Sequence, residues 1–211
     1  MDFSAAIETW RRVLTQPGEP AFEQEKYSPN ATLQTALIWM AIAGVVAAIF
    51  GFLAGLVGAS SAAAMLSQMD LPPEAQAQMG PMISAMTGSA GLAAIITVPL
   101  FFLIGSFILH LLAKMFGGQG EFSTFAYLSA TYQAPLTAAS AVLSVIPFAG
   151  GCVAALLGIY SYVLAYFAVK VNYGLTNGRA IAVVLIPIAL LVVLAMCFGV
   201  LVVGLFSAAS N

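Results

Sequence analysis

Catalysis within a membrane needs a nucleophile with its base, or a carboxylate or metal held away from bulk water, and this chain is sparing with all of them. His110 is the single histidine, and no acidic or metal-ligating partner shares its apolar run, so hydrolysis is poorly supported. Lys114 follows one helical turn later, roughly 6 Å along a helix axis, which predicts an interfacial histidine reaching the headgroups. Asp and Glu are absent from Lys26 to Met69, from Ala75 to Gly120 and from Phe122 to Asn211. No apolar run therefore holds the carboxylate that carriers driven by protons or sodium usually need. Cys152 and Cys197 lie in separate apolar runs and read as two small buried hydrophobes, against the sharper alternative of a disulfide or metal pair. Met65, Met69, Met79, Met82 and Met86 crowd one segment, and thioether clusters can hold Cu(I), but no Cys or His accompanies them there. Around Asp70, Pro72 and Pro73 they are expected to form the apolar faces of two short helices resting on the membrane. No enzyme activity, cofactor or metal is expected.

Two patterns remain that could do work. Gln133, Thr137, Ser140 and Ser144 fall on one face of a helix, and Tyr162 and Tyr166 share a face of the next apolar run. Such a polar seam could line a pathway, or could be hydrogen-bonding glue between helices at about 1 kcal/mol per contact or less. Small residues recur every fourth position at Ala43, Ala47, Gly51, Gly55 and Ala59, a stripe that lets another backbone approach closely. Its partner is either a helix of the same chain or a second copy. Pro99, Pro135 and Pro187 interrupt three of the apolar runs, which permits broken helices or tolerated kinks.

The elements that must position these residues are membrane helices. In 211 residues, 62% are hydrophobic and 7% charged, against roughly 25% charged in soluble domains. The net charge of -2 includes no basic run that could follow a phosphate backbone, which argues against a nucleic-acid partner. Phe3, Ile7, Trp10, Val13 and Leu14 recur at helical spacing before Pro17, predicting a short amphipathic helix. It is expected to lie in the membrane interface, with packing on the ends of the spans as the alternative. Met1 to Pro17 has no unbroken apolar core and reads as no cleavable signal. A polar linker is expected from Gln16 to Tyr27. Five apolar runs follow, about Leu33 to Gly58, Ala90 to Leu112, Thr124 to Ile146, Gly150 to Val169 and Ala180 to Phe206, each near the roughly 20 residues that cross hydrocarbon. The expected fold is all-α: a polytopic bundle of five transmembrane helices (28–211) behind an amphipathic helix and linker (1–27). In it Arg11, Arg12, Lys26, Lys114, Lys170 and Arg179 fall on one side, and the long loop from Ser60 to Ser89 has no cation. The positive-inside rule then puts the N-terminus in the cytoplasm and the C-terminus outside a cell membrane.

The segment Lys114, Met115, Phe116, Gly117, Gly118, Gln119, Gly120, Glu121, Phe122, Ser123 resembles the loop of the Yip-one domain family, five-span membrane proteins named for interaction with Ypt/Rab GTPases. Tyr132 and Pro135, then Pro147 with Gly150 and Gly151, then Tyr160, are similar to that family too. Trp10, Val13, Leu14 and Pro17 resemble the opening of its bacterial members, so the likeness covers nearly the whole chain. Eukaryotic members carry an Asp-Leu-Tyr-Gly-Pro motif before the spans that this chain lacks, which puts GTPase binding in doubt. The resemblance implies a non-enzymatic scaffold or adaptor in membrane organisation or trafficking, with a membrane-protein partner or self-association. A small-molecule or ion permease and an accessory subunit of a larger complex are the alternatives. The turn itself is the candidate interaction loop: Gly117, Gly118 and Gly120 would reverse the chain with positive φ angles, Glu121 would place negative charge at the next helix N-terminus, and Lys114, Phe116 and Phe122 would flank it.

Overall fold

The computed structural model describes the backbone of residues 3–68, 73–146 and 149–209, and the side chains of 4–56, 91–146 and 150–200. Every regular element among them is a helix. These are α1 (Phe3–Thr15), α2 (Glu19–Lys26), α3 (Leu33–Gln68), α4 (Pro73–Met115), α5 (Phe122–Leu143), α6 (Ala149–Tyr173) and α7 (Asn177–Ala209). Four contain stretches long and apolar enough to cross a membrane: Leu33–Leu56 in α3, Gly91–Met115 in α4, Gly150–Tyr173 in α6 and Asn177–Val200 in α7. They carry rows of exposed large hydrophobics such as Ile49, Ile96, Phe101, Leu156, Leu191 and Phe198, as lipid-facing helices must.

The expected count of five such helices is therefore one too many by length and hydropathy, and the exception is α5. It is the innermost helix. Phe125 through Tyr132 are all buried, including the polar Tyr127, Ser129, Thr131 and Tyr132. A helix wrapped by other helices can hold hydroxyls that a lipid-facing one would expose at a cost, so its hydropathy falls while its burial rises. α5 continues through Pro135 and α7 through Pro187, and α4 likewise spans Pro99, so none of the three prolines breaks its helix.

The segment expected as a loop with two short helices resting on the membrane instead continues the first two long helices, since α3 runs on to Gln68 and α4 begins at Pro73. At 36 and 43 residues they are about 54 and 65 Å long, well beyond the hydrocarbon thickness of roughly 30 Å. Of the five clustered methionines, none has a side chain among those described. Close approach of α3 and α4 rests on glycine. A Cβ on Gly91 would stand 2.5 Å from the Phe52 nitrogen, one on Gly51 3.3 Å from the Gly91 Cα, and one on Gly44 3.0 Å from the Ala94 carbonyl oxygen. The small-residue stripe thus meets a helix of the same chain at Gly51. Ala43 is buried, Ala47 and Gly55 are half-buried, and Ala59 lies outside the described side chains.

The N-terminal region also differs from expectation. Residues 19–26, read as linker, form α2, which Glu19 opens, Pro20 favours in its first turn and Lys26 closes with positive charge. α1 packs on α2 and α5, with Val13 fully buried and Ala6 nearly so. Trp10, expected at headgroup level, meets Trp39 of α3 edge-on at 5.5 Å, and Trp39 in turn meets Tyr127 of α5 at 5.3 Å. Trp10, Val13 and Leu14 of the amphipathic helix therefore face protein, where α3 and α5 offer aromatic partners, while Ile7 stays exposed. Phe22 of α2 is fully buried and stacks on Phe167, which is worth about 1.5–3 kcal/mol by burial alone.

Candidate functional site

The turn between α4 and α5 is built from its backbone. Gly118 N–H donates to the Ala113 carbonyl (2.9 Å) and Gly117 N–H to that of Lys114 (3.0 Å), closing α4 in a Schellman motif with Gly117 at φ +88°. Gly117 alone in this turn has the expected positive φ. Gly118 and Gly120 are needed for a different reason: a Cβ on Gly118 would lie 2.7 Å from that of Tyr173 and 2.8 Å from the Ala113 oxygen, and one on Gly120 would collide with Asn172. Across this contact Gln119 N–H donates to the Tyr173 carbonyl (3.2 Å) and Asn172 Nδ2 to that of Glu121 (3.1 Å). The C-terminal end of α6 is thus stitched to the start of α5. α6 closes like α4, with Gly174 at φ +64° and Leu175 N–H reaching the Lys170 carbonyl (3.3 Å).

The residues expected to flank this turn divide by exposure. Lys114, Gln119 and Glu121 are exposed, and Glu121 is the N-cap of α5, without a side-chain cap bond. Phe116 and Phe122 pack against the core instead, with the Phe122 ring edge-on to His110 (5.4 Å) and Phe107 (6.0 Å). His110 does not reach outward either; its Nδ1 shares a 2.6 Å hydrogen bond with the Tyr173 hydroxyl. The exposed apolar groups here are Met115, within the motif but not among the candidate interaction residues, and Tyr27 of the head, each 80% exposed.

At the same end a buried acid holds the head. Glu25 of α2 is 4% exposed, accepting from Tyr127 (2.9 Å), Thr9 (3.1 Å) and Arg12 (3.3 Å). Lys26 Nζ donates to the Val171 carbonyl (3.0 Å), where the α6 dipole favours a cation. Lys170 pairs with Glu19, the Tyr160 hydroxyl donates to the Leu14 carbonyl (2.7 Å), and Arg179 reaches the Phe116 carbonyl (3.4 Å). Arg12, Lys26, Lys114, Lys170 and Arg179 consequently gather at one end of the bundle. Leu14, Val13, Trp10, Tyr132 and Tyr160, scattered in sequence, converge at this junction of head and helices. Reading the head as polar hid Glu25; the apolar Phe22, one turn before it, was the available signal.

The polar seam is divided. Gln133 and Tyr162 line one cavity of about 240 Å³ between α4, α5, α6 and α7, together with Ser106, Ser161 and Pro187. Thr137 lines a groove beside it with Gln133, Met40 and Thr97, while Ser140 lies further along α5. Tyr166 faces an apolar groove between α6 and α7 that shares Tyr162, Val184 and Ile188 with the cavity. Ser106 was not anticipated. Cys152 and Cys197 are free and exposed, on faces that α6 and α7 turn outward, and are neither paired nor buried.

Four helices able to cross a bilayer, clad outside in large apolar side chains and joined to an inner polar helix, define a multi-pass helical membrane protein. Comparison with known families goes further. The Yip1 domain family model matches residues 11–198, and the chain belongs to that family. The match takes in the last turn of α1, all of α2 and the bundle as far as residue 198 in α7. No match was found among curated proteins or among solved structures.

Proposed function

We propose that the chain is a non-enzymatic scaffold or adaptor of a cell membrane, acting in membrane organisation, with its cationic end in the cytoplasm and its C-terminus outside. The observation that carries this reading is the surface beside the α4–α5 turn. There Met115 stands exposed beside Lys114, and Tyr27 of the head shares a surface hollow with Gln119 and Glu121, against a turn held by the Schellman closure and the Asn172 contact. A rigid turn that shows apolar groups between charges suits docking of a membrane-protein partner, because little ordering entropy remains to be lost on binding. The gathering of cations at that end supports a cytoplasmic placement.

A photoreactive amino acid at Gln119 tests the proposal in native membranes. A discrete crosslinked partner is expected, weakened several-fold by Met115→Ala or Glu121→Ala in protein of normal yield. Absence of any crosslinked species, together with saturable solute flux in liposomes that Gln133→Ala abolishes, would sink the scaffold reading in favour of a permease.

A further inference from the structure

The cavity between α4 and α7 contains a hydroxyl without a partner. Serine and threonine in apolar helices ordinarily return their hydroxyl to a carbonyl of the preceding turn. This chain follows the habit at Thr97, bonded to the Ala93 carbonyl (3.1 Å), at Thr131 to that of Leu128 (2.7 Å), at Ser144 to that of Ala141 (2.6 Å) and at Ser161 to that of Gly158 (2.7 Å). Ser106 and Ser129 depart from it, and of the two Ser106 lines the cavity. Its Oγ is buried and makes no hydrogen bond, and the residue is 2% exposed as a whole. A polar group so enclosed costs on the order of 1–3 kcal/mol unless something completes it.

Gln133 lines the same cavity, and its one side-chain contact is a long 3.5 Å bond from Nε2 to the Tyr132 hydroxyl, which leaves its carbonyl oxygen to accept. Beside Ser106, Gly105 leaves room: a Cβ there would meet nothing within 4 Å. The cavity continues into the largely apolar groove of Tyr162, Tyr166, Val184 and Ile188, between α6 and α7 on the face turned outward. No charged side chain lines either space.

We propose that this is a binding site for an uncharged bilayer lipid bearing a free hydroxyl, its alcohol between Ser106 and Gln133 and its hydrocarbon along the α6–α7 groove. A hydroxyl both donates and accepts, as do Ser106 and the Gln133 amide, so one small group satisfies both. A phosphate or ammonium head would enter with no counter-charge and is rejected by desolvation. The groove supplies the dispersion contacts a chain needs and lets it enter sideways from the bilayer.

The test uses the full-length protein in phosphatidylcholine vesicles containing a diazirine-tailed diacylglycerol or, at equal mole fraction, the phosphocholine lipid with the same tails. Labelling of α6 and α7 peptides around Tyr162 and Leu185 is expected to be at least fivefold higher with the diacylglycerol. Ser106→Ala, which removes one oxygen from a folded helix, lowers it about fivefold, the worth of one hydrogen bond. Gly105→Leu, which fills the vacant space, lowers it to the level of the phosphocholine lipid. Equal labelling by the two lipids, indifference to Ser106→Ala in protein of unchanged thermal stability, or protection by a water-soluble polyol instead of by unlabelled diacylglycerol would each overturn the proposal.

Discussion

Gly118 packs so closely on Tyr173 that any side chain must displace either that residue or the last turn of α4. Gly118→Val is therefore expected to lower stability by about 1–3 kcal/mol, in the range of overpacked cores, and to cut the yield of monodisperse protein in detergent. Gly117→Ala, strained only by its positive φ, should cost about 1 kcal/mol, and Glu121→Ala close to nothing, all read from thermal melts followed by size-exclusion fluorescence. Glu25 makes a sharper case. Glu25→Ala removes the acceptor of Arg12, Thr9 and Tyr127 together and should cost about 1–3 kcal/mol, since it leaves the buried Tyr127 hydroxyl unpaired while Arg12, 26% exposed, keeps Glu8. The loss should show as rapid protease cleavage near Pro17 and Gly18, with the bundle core still intact. Uncleaved protein at the wild-type rate would mean that Phe22 and Val13 hold the head without Glu25.

At the scale of elements, the contact of α3 with α4 rests on Gly44, Gly51 and Gly91. Gly91→Leu and Gly51→Leu are expected to abolish the folded state or lower its melting temperature by many degrees, whereas Leu53→Phe, on an exposed position, should be tolerated. Equal tolerance at all three would mean that the two helices do not meet through these glycines. Every long apolar helix was legible in the sequence, because a run near 20 residues without charge has few other fates, and so was the stripe on the first of them. The role of α5 was not. Hydropathy measures the fitness of side chains for lipid, and Ser129, Thr131 and Tyr132 are inside because they face helices, a fact that only the packing holds. The turn was recognised through its glycines, but two of the three serve close approach to α6, a neighbour more than 50 residues away that no local reading supplies. Ser106 escaped notice for the same reason: a lone serine in an apolar run looks like every other until its missing bond is seen.

For the whole molecule, the clustering of cations at one end leads to a topological prediction that follows from the proposed orientation. With Cys152 and Cys197 replaced by serine, a single cysteine at Gln78 should react with an impermeant maleimide added to intact cells, and one at Gln119 should react only after the membrane is opened. Labelling of Gln119 from outside would reverse the orientation. The same end of the molecule also sets a schedule for its synthesis. Lys26 is bonded to carbonyls of α6, 145 residues downstream, so the head, which meets Trp39 of α3 and Tyr127 of α5 as well, is fully docked only when most of the chain has been made. At roughly 5–20 residues per second that interval is on the order of 10 s. Until its end Phe22 lacks the Phe167 ring that stacks on it later, so residues among the first to be synthesised are among the last to reach their final packing.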